Sequence, residues 1–242
     1  MTENIKEMVV KRYSDRISGK YEINNCSSCS SDNSYDPLQN ELGDISKQSF
    51  GCGNPVGLSS VKDGDIVVDL GSGAGLDCIR AASSVGVTGK VVGVDLSDEM
   101  IAKAKQNVKS MQMENSISFV KGDIENIPMQ ENYATLVISN CVLALAPDKQ
   151  KVYNEIYRIL KNGGRFVISD VVSAVKIPKE LRDDPELFSS CTSGASQAEE
   201  YFEIIKNSGF KNIEELDRKS YESLDSHGKE IELFSITVRG YK

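Results

Sequence analysis

Short apolar runs alternate with helical patterns along most of this chain. The runs are rich in valine, isoleucine and leucine, as expected of strands that are buried on both faces of a parallel sheet. Helical patterns lie between them, and this alternation is typical of βαβ units. We therefore predict an α/β fold with a mostly parallel sheet. The predicted strands are residues 66–70, 91–95, 117–120, 136–139 and 166–170.

Local capping signals predict where the helices begin and end. Ser97 is followed by two acidic residues, which favour the first turn of a helix. Pro147 and Asp148 are expected to open a second helix, and the glycines at 163 and 164 to close it. After Pro178 the pattern is helical for about thirty residues.

The two ends of the chain carry different patterns. Apolar residues recur at helical spacing over the first twenty positions, which predicts one amphipathic helix. Residues 24–34 read NNCSSCSSDNS, a composition typical of a mobile loop. At the other end, residues 213–216 and 233–238 are expected to pair as an antiparallel hairpin at the sheet edge.

Composition and charge narrow the class of partner. The 242 residues include 28 Lys and Arg against 36 Asp and Glu, a net charge of −8, so no basic surface for a nucleic-acid backbone is expected. No apolar run reaches the roughly 18 residues of a membrane span, and the first residues lack the features of a signal peptide. We expect a cytoplasmic protein, whose six cysteines serve as ligands, redox groups or buried hydrophobes rather than structural disulfides.

A glycine-rich turn is the first candidate binding site. The strand at 66–70 runs directly into the sequence GSGAG at 71–75 and then a helix, so its amides are expected to face a nucleotide-like ligand. Any tight turn also favours glycine. Asp69 precedes the turn and Asp95 ends the next strand, where it can accept both ribose hydroxyls. Leu76 replaces the glycine of a dinucleotide fingerprint, and an acid beside the turn favours a ligand with a cationic amine.

The segments VVDLGSGAG, VVGVD, GDIENIP and LKNGGRFVISD, in that order, resemble the class I S-adenosylmethionine-dependent methyltransferases over about residues 50–175. The resemblance implies a Rossmann-like sheet of seven strands with an antiparallel last pair. It also implies that Asp69 and the glycine turn hold the methionine part of the donor, Asp95 the ribose, and Asp123 with Ile124 the adenine. The candidate donor residues are Asp69, Gly71, Ser72, Gly73, Gly75, Asp95, Leu96, Asp123, Ile124 and Asn140.

The cysteines are the candidates for acceptor chemistry. Cys141 ends the fourth predicted strand at the carboxyl edge, where open α/β sheets bind substrates, although a small buried hydrophobe is an alternative. Cys52 lies between two glycines and Cys191 in a polar stretch, settings that suit exposed thiols. Three thiols on separate segments favour a soft ion that binds three sulfur ligands. A tetrahedral zinc site using the pair Cys26 and Cys29 is the competing interpretation, and a core position is expected for the cysteine at 78.

The segments around these cysteines resemble one methyltransferase family. They are KRYSDRISGK with a cysteine pair after it, GCGNP, DLGSGAGLDC, VISNCV followed by PDK, and ELFSSCTSGA followed by EEY. They are similar to the arsenite S-adenosylmethionine methyltransferases over nearly the whole chain. This resemblance implies that Cys52, Cys141 and Cys191 bind arsenic, the substrate, and that Cys26 and Cys29 belong to an N-terminal redox pair. The chain departs from the family in reading ALAPDK for NLSPDK and in separating the N-terminal cysteines by two serines.

The resemblance also implies a division of the chain and a set of partners. Residues 1–55 form the N-terminal helix and cysteine loop, residues 56–175 the donor-binding core, and residues 176–242 the substrate-binding helices and terminal hairpin. The expected substrate is trivalent arsenic as a thiol conjugate. Methylation raises arsenic to the pentavalent state, and two neighbouring thiolates are expected to return it to the trivalent state by forming a disulfide. Cys26 and Cys29 would relay the oxidation to an external reductant, such as a thioredoxin-type dithiol or glutathione. The alternatives are a methyltransferase for a small organic acceptor and a non-catalytic thiol-rich module that binds arsenic or zinc.

Overall fold

The structure, a computed structural model, describes residues 2–19, 42, 45, 48, 50–189, 191–226 and 228–242. The cysteines at 26 and 29, and the loop predicted at 24–34, lie outside the described residues. Within them, one mixed sheet has helices on both faces. No helix of the described part is long and apolar enough to cross a bilayer.

The central sheet has the strand order β3-β2-β1-β4-β5-β8-β7. Its strands are β1 (Ile66–Leu70), β2 (Lys90–Asp95), β3 (Ile117–Lys121), β4 (Ala134–Asn140), β5 (Leu160–Ser173), β6 (Ser196–Gln197), β7 (Lys211–Ser226) and β8 (Lys229–Tyr241). Strands β1 to β5 run parallel, and β8 is antiparallel to both β5 and β7. The predicted sheet and terminal hairpin are confirmed; the short β6, which pairs with the end of β5, is an addition.

Helices cover both faces of this sheet. They are α1 (Thr2–Ile17), α2 (Pro55–Leu58), α3 (Leu76–Ala82), α4 (Asp98–Ser110), α5 (Lys149–Ile159), α6 (Lys179–Arg182), α7 (Pro185–Ser189) and α8 (Ala198–Asn207). Two predicted caps are present: Ser97 Oγ accepts from the Met100 amide at 3.2 Å, and Asp148 Oδ1 accepts from the Lys151 amide at 2.9 Å. Each side chain satisfies an amide that the helix itself leaves unpaired.

Two sequence-based expectations about helix ends are wrong. Helix α5 ends at Ile159 and β5 begins with the next residue, so Gly163 and Gly164 lie inside a strand segment. The stretch after Pro178 is broken into α6, α7 and α8. A close contact accounts for the break between α7 and α8. A Cβ at Gly194 would lie 2.0 Å from the Ala144 carbonyl oxygen, so the chain between these helices turns and packs against that residue.

The alternation of side chains along each strand fills two cores. Val68, Val137 and Phe166 face a cluster with the rings of Tyr153 and Phe210, while their neighbours in the strands face a second cluster under α3. A third buried cluster lies past the carboxyl ends of β4 and β5. We call it the cysteine cluster, because it contains Cys52, Cys141 and Cys191 among apolar residues such as Leu145, Ile177 and Leu233.

Candidate active site

A deep cleft opens at the carboxyl ends of β1, β2 and β4, where the strand order changes direction. Its empty volume, open mouth included, is about 1110 Å³. Nine of the ten predicted donor residues line it, namely Asp69, Gly71, Ser72, Gly73, Asp95, Leu96, Asp123, Ile124 and Asn140. Gly75 is not among the lining residues. It is the N-cap residue of α3, with a φ of 86°, and a Cβ there would lie 3.0 Å from the Phe119 ring, so its role is close packing.

The glycine turn presents an open surface to this cleft rather than a set of amide donors. The amides of Gly71 and Ser72 donate to the Val94 carbonyl at 2.8 and 3.1 Å, and the Gly73 amide donates to Asp95 Oδ2 at 2.9 Å. This differs from the expectation that these amides face a ligand. A Cβ on Gly73 would meet nothing within 4 Å, whereas one on Gly71 would lie 2.1 Å from Val142. The turn therefore leaves room for a ligand beside the sheet.

Two buried carboxyl groups, Asp69 and Asp77, and the half-buried Asp95 surround the inner end of the cleft. Burial raises the pKa of Asp69 well above its usual range, and the nearby charges of Asp77 and Asp95 raise it further. Burial also raises the pKa of Asp77, whose Oδ1 accepts no hydrogen bond from the described residues. The Cys78 thiol, in the core as predicted, donates to Asp69 Oδ2 at 3.2 Å. Such a site favours a cationic ligand, because a positive charge would stabilise the ionised acids.

Sequence reasoning missed three of the charged groups in the cleft, namely Lys6, Asp77 and Glu125. Asp77 follows the glycine turn in the first turn of α3, a position that could have marked it as a candidate. Lys6 of α1 places its Nζ 2.6 Å from Asp123 Oδ2 and 2.6 Å from Glu125 Oε2. No local signal connects Lys6 with these acids, because more than a hundred residues separate them. Helix α1 therefore closes the end of the cleft that holds Asp123.

The three candidate arsenic ligands converge in the cysteine cluster. Cys52, Cys141 and Cys191 carry free thiols with exposures of 8%, 3% and 2%, so the expectation that Cys52 and Cys191 are exposed is wrong. Hydrogen bonds with the thiols of Cys191 and Cys52 raise the pKa of Cys141 well above its usual range. The hydrogen bond with Cys141 lowers the pKa of Cys191. Cys191 Sγ donates to the Cys141 carbonyl oxygen at 3.2 Å, so these two residues are in direct contact, and Cys52 is buried in the same cluster.

The three thiols lie in one cluster, but their sulfur atoms do not surround a common point. Among the described residues, no three side chains of histidine, cysteine, aspartate or glutamate have the arrangement of a metal site. One ion held by all three sulfurs would require the thiols to rotate toward it. A closed zinc site that uses Cys26 and Cys29 falls outside the described residues.

Unusual backbone conformations bring two of the cysteines into place. Strand β4 ends at Asn140, one residue beyond the predicted strand 136–139, and Cys141 follows with a φ of 62°. Cys191 has a φ of 65° in the turn after α7. Residues other than glycine rarely adopt such angles, and the resulting strain is concentrated at functional sites.

Close approach of the backbone explains the glycines on either side of Cys52. A Cβ on Gly51 would lie 2.4 Å from the Asn140 amide, and one on Gly53 would lie 2.5 Å from Ser169 Oγ. Asn140 Oδ1 accepts from the amides of Cys52 and Gly53 at 3.0 and 3.1 Å. Asn140 Nδ2 donates to Asp77 Oδ2 at 2.9 Å. Asn140 thus connects the donor cleft to the cysteine cluster.

Since the resemblance implies that Cys52 binds arsenic, replacing Asn140 with alanine is expected to weaken arsenite binding more than donor binding. The change removes the bonds that hold the Cys52 backbone, and a few lost buried hydrogen bonds correspond to a loss of about tenfold or more. Calorimetric titration with arsenite and with S-adenosylmethionine measures both effects. Asn154→Ala, a change at an exposed position of α5, serves as the control. Equal losses for both ligands would contradict this role for Asn140.

The fold and the cleft define a class I S-adenosylmethionine-dependent methyltransferase. Residues 61–209 match a family described as a methyltransferase domain. The chain is 43% identical over 165 residues to the arsenite methyltransferase of Halobacterium salinarum, which covers 68% of this chain and 42% of that protein. It is 34% identical over 184 residues to the arsenite methyltransferase of Mus musculus, covering 72% of this chain and 48% of that protein.

A solved structure shows the same likeness. The arsenic (III) S-adenosylmethionine methyltransferase from Chlamydomonas reinhardtii superposes with a TM-score of 0.75 and 30% sequence identity, covering 85% of this chain and 73% of that chain. The chain belongs to the arsenite S-adenosylmethionine methyltransferase family. It spans about half the length of the curated relatives that it matches. The predicted fold class and family are thereby confirmed.

Proposed function

We propose that this chain transfers the methyl group of S-adenosylmethionine to trivalent arsenic bound by Cys52, Cys141 and Cys191. The convergence of three buried free thiols beside the donor cleft carries this proposal. Trivalent arsenic is soft and favours sulfur ligands. Three thiolates around one trivalent arsenic form a neutral complex, which suits the apolar surroundings of Leu145 and Leu233.

The binding of arsenite needs no general base. Each As–OH group exchanges with one thiol, so an As–S bond forms, an S–H bond breaks and the proton leaves in a water molecule. Three such exchanges convert arsenous acid and three thiols into the bound complex and three waters. The raised pKa of Cys141 is compatible with this overall exchange, and the lowered pKa of Cys191 makes its thiolate the first to attack arsenic, while the displaced hydroxide leaves as water with the thiol proton.

The residues of the cleft have the charges that the donor requires. Asp69 and Asp77 would hold its cationic methionine part, Asp95 the ribose, and Asp123 with Ile124 the adenine. When bound, S-adenosylmethionine supplies a methyl group already activated on a sulfonium. Arsenic held by three sulfurs keeps a lone pair that points away from them, and Cys141 lies at both the cleft and the cysteine cluster. The role of the protein is to align the two substrates.

A thiol reductant completes the proposed cycle. Methylation raises arsenic formally to the pentavalent state, and two electrons return it to the trivalent state while two thiolates form a disulfide. An external dithiol such as a thioredoxin-type protein, or glutathione, would reduce that disulfide, with Cys26 and Cys29 relaying the oxidation. A reducing compartment such as the cytoplasm suits this chemistry.

Incubation of the protein with arsenite, S-adenosylmethionine and a dithiol tests the proposal, with arsenic species separated by chromatography and detected by element. We expect methylated arsenic, and multiple turnovers only when the dithiol is present. Arsenite that is bound but never methylated would favour a sequestering module. Arsenite that is neither bound nor methylated would favour an organic acceptor and would refute the proposal.

Tyr13 of α1 is expected to adjust the reactivity of Cys191. Its hydroxyl lies 3.5 Å from Cys191 Sγ, and this hydrogen bond lowers the pKa of Cys191. Burial raises the pKa of Tyr13 well above its usual range, so the phenol keeps its proton and can donate. In Tyr13→Phe we expect the pH profile of arsenite methylation to shift toward alkaline pH by about one unit. Tyr241→Phe, at the far end of β8, should leave the profile unchanged.

A further inference from the structure

A buried lysine beside the cysteine cluster takes no part in the proposed binding and methylation of arsenic. Lys149 is 9% exposed at the first residue of α5, and its Nζ donates to the carbonyl oxygens of Gly194 and Ala146 at 2.8 and 3.3 Å. Burial lowers its pKa to about 8. Since burying an ammonium group is unfavourable, its presence in this position requires an explanation.

The two carbonyl groups belong to the two turns that carry cysteines. Ala146 ends the segment that follows Cys141, which includes the 3₁₀ turn Leu143–Leu145. Gly194 ends the turn that begins with Cys191. The two turns are in direct contact, because a Cβ on Gly194 would lie 2.0 Å from the oxygen of Ala144. The lysine therefore bonds across the junction between them.

A buried carboxylate supports the same junction. Asp170 on β5 is fully buried, and its Oδ1 accepts from the Ala144 amide at 3.2 Å. Its charge opposes the effect of burial on the pKa of Lys149. Burial in turn raises the pKa of Asp170 to about 6, while the charge of Lys149 opposes that shift. The carboxylate thus fixes the Cys141 turn to the sheet and balances the buried ammonium.

We propose that Lys149 is a positioning residue, whose ammonium ties the Cys141 turn to the Cys191 turn and so sets the separation of two arsenic-binding sulfurs. The proposal rests on the proposed function in one respect, namely that these cysteines bind arsenic. Both cysteines have positive φ values, and strained conformations persist only where surrounding bonds hold them. The lysine supplies one bond to each of the two turns.

Lys149→Met tests this role, because it keeps an unbranched side chain and removes the donor. Lys151→Met, at an exposed position of the same helix, is the matched control. We expect amide hydrogen exchange to rise about tenfold in residues 142–146 and 191–195 of Lys149→Met, the effect of one lost buried hydrogen bond. The KM for arsenite should rise by a similar factor, while the KM for S-adenosylmethionine stays within about twofold.

Several outcomes would overturn the role of Lys149. Unchanged exchange in both turns, or equal rises in the two KM values, would mean that the lysine has only a general structural role. If the unchanged protein does not bind arsenite, the proposed function fails, but the exchange rates of the two turns still decide whether Lys149 holds them. If Lys149→Met does not fold, Lys149→Gln, which keeps a shorter donor, should show the same pattern with a smaller change; unaltered exchange there would equally refute the role.

Discussion

Cys141→Ser is expected to reduce arsenite methylation by about a thousandfold or more while the affinity for S-adenosylmethionine changes less than about twofold. Cys141 lies in one buried cluster with both other cysteines and also lines the donor cleft, so its loss removes the sulfur nearest the donor. The serine hydroxyl is a hard oxygen ligand that arsenic exchanges with water. Chromatography of arsenic species measures the first quantity, and calorimetric titration with the donor measures the second.

A different cysteine provides the contrast for this prediction. Cys78 is buried beneath the donor cleft and donates to Asp69 Oδ2 at 3.2 Å, away from the cysteine cluster. Cys78→Ala should therefore weaken donor binding and leave arsenite binding unchanged. If Cys141→Ser lost donor binding as well, Cys141 would be a structural residue, and the arsenic-binding role would have to be abandoned.

Asp69→Asn is expected to weaken S-adenosylmethionine binding by about 30- to 100-fold, the effect of losing a buried charge-assisted hydrogen bond. Asp69 is 2% exposed at the inner end of the cleft, where water cannot replace it as the partner of a cationic ligand. Arsenite binding should be unaffected. Asp98→Asn, an exposed acid on α4, is the control and should bind the donor normally.

The raised pKa of Asp69 makes donor binding depend on pH. In the ligand-free protein the Asp69 carboxyl keeps its proton to a higher pH than an ordinary aspartate does. Binding of a cationic ligand favours the ionised carboxylate and therefore releases this proton. The affinity for the donor is expected to rise as pH increases through the raised pKa. The stability of the donor-free protein has the opposite dependence. The extra proton of the folded state stabilises it below the unfolded pKa, and this contribution is lost as pH rises through the folded pKa.

Thermal unfolding measured between about pH 5 and about pH 8, with and without the donor, checks the direction of both pH dependences, that of donor affinity and that of stability. The donor-free protein should lose stability toward the higher pH, and the stabilisation by the donor should grow. In Asp69→Asn both slopes should become smaller without vanishing, because burial also raises the pKa values of Asp77 and Asp95. Donor affinity that is independent of pH would contradict a cationic ligand beside Asp69.

The positions of the strands were predictable because the apolar runs and turns that mark them are local features of the sequence. A parallel strand buried on both faces needs a continuous apolar run, so β1 was predicted to the residue and β2 to within one. The glycine turn and the caps at Ser97 and Asp148 likewise depend on residues only a few positions apart. Helix α5 was extended too far, because Leu160 continues its apolar pattern while its backbone already belongs to β5.

The environment of each candidate residue was not predictable in the same way. The flanking glycines and serines of Cys52 and Cys191 favoured exposed thiols, and yet both are buried. Small residues are needed there because other segments pack closely against the backbone, the Ser169 side chain at Gly53 and the Ala144 carbonyl group at Gly194. Asn140, assigned to the donor from the resemblance, lines the cleft and also holds the Cys52 backbone.

The sequence by itself determined the α/β class, the positions of the strands, the resemblance to one methyltransferase family and the identities of the candidate residues. Only the tertiary structure decided that Cys52, Cys141 and Cys191 converge, that α1 brings Tyr13 and Lys6 to the site, and that Lys149 joins two turns. The physical reason is the distance along the chain over which each interaction acts. Hydrophobic periodicity and capping act between neighbours in the chain, whereas burial, pKa shifts and shared hydrogen bonds arise between segments up to 183 residues apart.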